Sequence, residues 1–352
     1  MWHMTPRDRP RVAARLAPAL AALAAVMVMA GPVSAHGEFD PAPPDLWILL
    51  TGWRLEPTIA IPVAAAALAW LWAVRRIGRR HRRNPVPPAR VAALLAGLAV
   101  IALALQSGIE RYDTTLFSIH MVQHLLLMLV APPLILLGAP VTQLLRVASP
   151  WARRRVVLPI LHSGLLRFVS HPVAAWLGFT GVLWLTHFSP LFDIALDDPG
   201  VHLLEHVLFV ASALLFWFPV VGADPAPTRL GYPARALYLL LQMPPSSFLA
   251  MAILFTDGPL YGHYAELGSP YGVTALADQQ AAAGIMWVSS DLVFIGAILL
   301  VVGAWMRGDE RRTAEVERRV DAQRAALAER ADRLAAGRSA GQPGTGEASS
   351  SR

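Results

Sequence analysis

Two pairs of histidines stand four residues apart in otherwise apolar stretches of this 352-residue chain. His120 and His124 form one pair, and His202 and His206 form the other, with Glu205 between them. Residues four apart leave the same face of a helix, so each pair can direct both imidazoles to one point. Because imidazole is a good ligand for copper, zinc, iron and nickel, the spacing predicts a metal or cofactor site.

The composition limits the ligands that such a site can use. The sequence has no cysteine, so histidine, methionine, aspartate and glutamate remain as metal ligands. His187 ends another apolar stretch at the level of the two pairs. We predict a metal-binding set of His120, His124, His187, His202 and His206. The further candidate ligands are Met121, Glu205, His263 and His36.

Each candidate also has a simpler interpretation. A single histidine near a helix end is more often a hydrogen-bonded interfacial residue, and a buried methionine is more often ordinary core packing. The repeated spacing on separate helices favours a site over these alternatives, since ionisable groups within apolar segments are costly and usually functional. His36 could chelate Cu(II) through its amine and imidazole only if cleavage makes it the N-terminus.

The elements that must position these residues are membrane helices. Hydrophobic residues make up 55% of the chain and charged residues only 15%, which is typical of the membrane class. Seven stretches approach the length of about 20 residues that a spanning helix needs. The sequence therefore predicts an all-α, polytopic helix bundle with spans near 57–74, 91–107, 116–137, 172–188, 201–221, 235–256 and 281–306.

Arginines predict the orientation of the bundle. Seven lie in 75–90, five in 138–171 and ten in the C-terminal tail, while the alternate loops hold almost none. The positive-inside rule then places the N-terminus outside and the C-terminus in the cytoplasm of a bacterial plasma-membrane protein. The histidine pairs fall at the outer ends of their helices.

Three regions are expected along the chain. Residues 1–35 read as a signal peptide with cleavage after Ala35, or alternatively as an extra N-terminal helix. Residues 36–306 form the seven-helix membrane domain. Residues 307–352 form a charged cytoplasmic helix that is disordered at its end.

Polar and proline residues inside the spans predict local irregularity. The pairs Pro132-Pro133 and Pro244-Pro245 each remove backbone donors and are expected to break or kink their helices. Asp291 lies within the seventh span and needs a partner. Gln242, Ser246 and Ser247 are the candidates.

Two functional classes are not supported. The formal charge of +6 comes from arginines in short runs beside apolar segments, which is typical of topology signals and not of nucleic-acid binding. No nucleophile with a matched base stands out, so we expect no enzyme.

Four ordered blocks carry a resemblance to a known family. They are HMVQHLLLMLVAPPLILLGAP, HFSPLFDIALDDPGVHLLEHVLFVASALLFWFPVVG, QMPPSSFLAMAILF followed by DGPLYGHY, and DQQAAAGIMWV. With these blocks, residues 50–306 resemble the CtaG family of cytochrome c oxidase assembly factors associated with caa3 oxidases. The resemblance implies a multi-pass plasma-membrane protein that helps to mature the oxidase by handling copper. It places the family's histidines at His120, His124, His187, His202 and His206.

The functional hypothesis is a metallochaperone that binds copper on its outer side and passes it to an oxidase subunit. Its expected partners are cytochrome c oxidase subunits, the copper ion and the lipid bilayer, without nucleic acid. The alternatives are a membrane haem-binding protein, a metal transporter, and a chaperone that binds the oxidase without metal.

Overall fold

The structure is a computed structural model that describes residues 42–340. Leader residues 1–35 and His36 lie outside this range, as do residues 341–352 at the end of the tail. Among residues 42–340 the secondary structure is helical and contains no strand. The described chain divides into one compact unit that extends to Ile298 and a second that begins at Leu299.

The helices follow one another with short connections. In chain order they are α1 (Leu46–Thr51), α2 (Pro57–Arg80), α3 (Pro88–Gln106), α4 (Gly108–Tyr112), α5 (Phe117–Leu125), α6 (Ala131–Leu137), α7 (Pro140–Val147), α8 (Pro150–Ala152), α9 (Leu158–Leu161), α10 (Gly164–Val169), α11 (Pro172–His187), α12 (Leu191–Asp197), α13 (Pro199–Val221), α14 (Tyr232–Leu254), α15 (Gly262–Glu266) and α16 (Ala275–Ala340). Two π-helical segments, Leu126–Val130 and Arg153–Val157, and a 3₁₀ turn, Pro270–Gly272, complete them.

Within residues 42–340, six helical stretches are long and apolar enough to cross a membrane, and the number becomes seven if α11 and α12 count as one bent span. The angle between these two helices is 68°. The predicted all-α bundle of about seven membrane helices is confirmed at this level. Large apolar side chains such as Trp72, Leu177 and Leu185 are exposed, as expected for surfaces that face lipid.

A close helix contact positions the helix that carries the first histidine pair. α3 packs along α6, and α6 continues α5 through the π-helical segment. A Cβ atom on Gly97 of α3 would lie 2.9 Å from the backbone oxygen of Ala131, so only glycine permits this approach. α13 packs against both α6 and α11 and thereby brings the second pair beside the first.

The two proline pairs, which were predicted to break or kink their helices, are accommodated in two different ways. In a regular helix the Met128 carbonyl would accept a hydrogen bond from a backbone N–H one turn later, but Pro132 and Pro133 have no N–H group. The chain forms a π-helical segment there. The indole N–H of Trp217 on α13 donates to this carbonyl at 3.0 Å and satisfies it. The second pair lies inside α14, which continues as an α-helix from Tyr232 to Leu254.

Polar side chains within the bundle satisfy one another. The Thr180 hydroxyl donates to Gln242 Oε1 at 2.9 Å, and Gln242 Nε2 donates to Ser246 at 3.3 Å. Ser247 donates to Asp291 Oδ1 at 3.4 Å, which confirms one of the three predicted partners of that carboxylate.

Helix α16 continues beyond the apolar part of the chain as a charged helix. Residues 309–327 are exposed, and Arg319 pairs with Glu315 one turn away at 3.0 Å. Such exposed pairs stabilise a helix only slightly, by roughly 0.3–0.5 kcal/mol.

Candidate metal site

Four buried side chains from α5 and α13 converge at one end of the bundle. His120 and His124 come from α5, and His202 and Glu205 come from α13. Each offers one ligand atom, and these atoms all lie within 4.8 Å of one another. The set combines three imidazoles with one carboxylate, which is a suitable ligand set for a transition metal.

The starts of both helices are fixed by carboxylates. Asp198 caps α13 by accepting hydrogen bonds from the backbone N–H groups of Gly200 at 2.7 Å and Val201 at 3.0 Å. The start of α5 has no cap of its own, and Asp278 of α16 replaces it by accepting from the backbone N–H and hydroxyl of Ser118. The ligands therefore sit one or two turns inside anchored helix ends.

Three side chains of this group, His120, His124 and Glu205, have buried polar atoms without hydrogen-bond partners. Both ring nitrogens of His120, both of His124 and both carboxylate oxygens of Glu205 are buried and make no hydrogen bond. Burying an unsatisfied polar group costs about 1–3 kcal/mol, so six such atoms in one place need an explanation. A metal ion would use several of them at once.

The other two predicted ligands flank the group. The His206 ring lies 5.8 Å from the His124 ring, and its Nε2 is 3.2 Å from Gln123 Oε1. The His187 ring lies 6.2 Å from that of His124, and its Nδ1 is 2.8 Å from the carbonyl oxygen of Leu183. These two histidines adjoin the set of four without joining it.

Aromatic rings cover the group. Phe192 of α12 lies 5.1 Å from the His120 ring and 5.6 Å from the His187 ring, measured between centroids. Phe209 lies 4.5 Å from the His124 ring, and Tyr261 packs on Phe192 at 4.3 Å. The rings keep water from the donors and preserve a low dielectric around them.

One carboxyl beside the group lies outside the spans. Asp113 Oδ2 is 3.9 Å from His202 Nε2, and burial raises the pKa of Asp113 to about 8. Burial therefore favours the neutral form of this carboxyl.

Comparison with known proteins identifies the family. A family model described as cytochrome c oxidase caa3 assembly factor matches residues 68–308, which is more than half of the chain. The chain belongs to this family. The resemblance predicted from the four sequence blocks is thereby confirmed.

The chain is also similar to mycobacterial proteins whose names state no function. Uncharacterized proteins of Mycobacterium bovis and Mycobacterium tuberculosis are each 32% identical over 288 residues, and one of Mycobacterium leprae is 30% identical over 292 residues. Each alignment covers 80% of this chain but only 43% of the relative. The chain thus spans less than half of the length of these relatives. No solved structure matches it significantly.

The remaining candidate ligands lie apart from the set of four. His263 has both nitrogens occupied, one at 3.3 Å from Asp197 and the other at 2.9 Å from the Thr114 carbonyl. Met121 is buried and lines a small neighbouring cavity. His36 lies outside the described residues.

Sequence reasoning missed three residues that position the site. Gln123 links His206 to Glu110 through hydrogen bonds of 3.2 and 2.5 Å, Asp278 anchors α5, and Phe192 covers the rings. Only Gln123 has a local signal, since a glutamine directly before His124 in an apolar helix needs buried partners. The other two come from distant parts of the chain.

Proposed function

We propose that this protein is a copper-binding assembly factor of the plasma membrane that supplies copper to a cytochrome c oxidase subunit. The observation that carries the proposal is the buried set of His120, His124, His202 and Glu205, whose donor atoms lie within 4.8 Å of one another. Copper is the cargo in this proposal and not a resident cofactor.

The ligand chemistry supports copper over other divalent ions. Sites of nitrogen and oxygen donors bind Cu(II) most tightly among the first-row divalent metals. One carboxylate beside three neutral imidazoles offsets part of the charge of the ion, which lowers the cost of burying it. The flanking His187 and His206 provide further imidazoles within 6.2 Å ring separation of His124, which suits transfer more than storage.

The arginine distribution supports an orientation for this proposal. The histidines lie at the start of α5, the end of α11 and the start of α13, which is one end of an antiparallel arrangement. The arginine-rich segments 75–90 and 138–171 lie at the opposite helix ends. The positive-inside rule then directs the metal site outward and the charged tail into the cytoplasm.

The geometry favours copper binding over two of the alternative functions, a haem-binding protein and a metal transporter. Haem needs a flat gap between two histidines, but the cavity beside His124 and His187 measures only about 20 Å³. The His120 and His202 rings are already stacked 5.4 Å apart. Transporters commonly bind their substrates at broken helices, whereas α14 is continuous.

Metal analysis combined with oxidase maturation tests the proposal. The wild-type protein and the variant His120→Ala/His124→Ala are purified from cells, their copper is measured, and oxidase activity is measured in the same strains. The control variant is His81→Ala/His162→Ala, which removes two exposed histidines from the arginine-rich segments.

The proposal expects that the first variant loses both bound copper and oxidase maturation, whereas the control retains both. Immunoblots of the membranes establish equal amounts of each variant. Unchanged copper content together with a mature oxidase in the first variant would refute the proposal.

A further inference from the structure

A second group of metal-binding side chains surrounds a small cavity next to His124. The cavity measures about 20 Å³, which is room for one water-sized or ion-sized particle. Residues of α5, α11, α14 and α16 line it. The lining residues with donor atoms include His124, His187, Met121, Met128 and Met286.

His187 is oriented as a ligand. Its Nδ1 is 2.8 Å from the carbonyl oxygen of Leu183, which can only accept a hydrogen bond, so Nδ1 carries the proton of the neutral ring. The lone pair is then on Nε2, which is buried and has no hydrogen-bond partner. A metal-binding histidine is commonly held through its other nitrogen in this way.

The cavity differs from the first site in charge and in softness. Its lining contains no carboxylate, whereas Glu205 belongs to the first set. Its neutral donors are thioethers, imidazoles and the hydroxyls of Ser246 and Ser290. Thioethers are soft ligands that select Cu(I). A divalent ion without a nearby negative charge would be costly to bury, and a monovalent ion is less costly.

We propose that this cavity is a second metal site, specific for a soft monovalent cation such as Cu(I), with Met121, Met286 and His187 as ligands. His124 lies between the two sites, since it belongs to the first set and also lines the cavity. The role of His124 as a shared ligand rests on the proposed function, whereas the binding of a soft ion in the cavity does not.

Ag(I) is the probe for the test because it is soft, monovalent and not oxidised in air. X-ray absorption of the Ag(I)-loaded full-length protein reports sulfur in the first coordination shell, and competition titrations report affinity. The test variant is Met121→Leu/Met286→Leu, which removes the sulfurs of the two proposed methionine ligands with little change in volume and leaves Met128 in place. The control is Met243→Leu/Met251→Leu, two methionines of α14 that do not line the cavity.

The wild-type protein and the control should show sulfur in the first coordination shell of silver, and the test variant should not. The Ag(I) affinity of the test variant should be lower by a factor of at least about ten, which corresponds to 1.4 kcal/mol. Cu(II) binding at the first site should be unchanged in the test variant. In Glu205→Gln the pattern should be reversed, with weaker Cu(II) binding and an intact silver–sulfur shell.

Two results would overturn the second site: absence of sulfur from the wild-type silver shell, or its persistence in Met121→Leu/Met286→Leu. If the silver–sulfur shell behaves as expected but the wild-type protein binds no Cu(II), the second site stands and the first site fails. The two proposals are therefore tested separately.

Discussion

Glu205 provides the sharpest test of the first metal site, because Glu205→Gln changes the charge of one ligand and almost nothing else. The glutamine has the same shape and retains one oxygen. The largest separation between donor atoms of the set is 4.8 Å. A bound ion would lie among these atoms and so no further than about this distance from the carboxylate. Two unit charges 4.8 Å apart interact by about 3.5 kcal/mol with an effective dielectric constant of about 20, which is therefore a lower bound.

This energy predicts that Glu205→Gln weakens Cu(II) binding by at least on the order of 100-fold, since about 1.4 kcal/mol corresponds to a factor of ten. Competition with a copper chelator of known affinity measures the change on purified protein in detergent. Asp224→Asn is the control, because Asp224 is a buried carboxylate beyond the end of α13 that caps α7 through Val141 and Thr142. It removes the same charge at the opposite end of the bundle.

A second substitution at Glu205 should change stability in the opposite direction to binding. In the metal-free protein its carboxyl oxygens are buried without partners, which costs about 1–3 kcal/mol. Glu205→Leu removes this cost, so the metal-free variant should melt several degrees above the wild type, at roughly 2–4 °C per kcal/mol. Added copper should then stabilise only the wild type. Wild-type copper affinity in Glu205→Gln, or a lower melting temperature in Glu205→Leu, would refute the reasoning.

Two further predictions concern the elements that hold the site. Trp217→Phe removes the donor to the Met128 carbonyl and should lower the free energy of unfolding by about 1 kcal/mol. The loss should be smaller when Pro132→Ala restores a backbone N–H to that carbonyl. Thermal melting of the two single variants and the double variant measures this coupling, and strictly additive effects would contradict it. Asp278→Ala removes the acceptor for the backbone N–H and hydroxyl of Ser118 and should weaken copper binding through a frayed start of α5. Hydrogen exchange should quicken across residues 117–120 in that variant, and an unchanged exchange rate there would contradict the assigned capping role.

The sequence predicted the helices well because membrane spans are long and their apolar composition is a strong signal. The fourth predicted span, 172–188, was the least regular. α11 has only 16 residues, and the chain bends by 68° before α12. The cause is local: Ser189 and Pro190 interrupt the helix. The α12 segment then lies over the histidines, where Phe192 contacts them.

The proline pairs show where a local rule is insufficient. Proline removes a donor, and the sequence alone predicted a break or a kink at Pro132-Pro133. The irregularity takes the form of a π-helical segment, and the indole of Trp217 satisfies the freed carbonyl. Trp217 lies 85 residues further along the chain than Pro132. Such compensation depends on tertiary packing, which no local pattern contains.

The histidines could be found from their spacing, but their grouping could not. An i,i+4 pair indicates which face of a helix carries the ligands, yet the rotation of one helix against another decides which ligands meet. The structure brings His120, His124, His202 and Glu205 together, although Glu205 was only an additional candidate. His187 and His206 are held beside them by hydrogen bonds that the sequence does not reveal.

The number of imidazoles on bound Cu(II) decides whether α5 and α13 form one metal site. Pulsed electron paramagnetic resonance on the copper-loaded, full-length protein counts these imidazoles. We expect three in the wild type and in His81→Ala/His162→Ala, and no more than one in His120→Ala/His124→Ala, because only His202 then remains of the set. An imidazole count that is the same in all three proteins would contradict a metal site formed by α5 and α13.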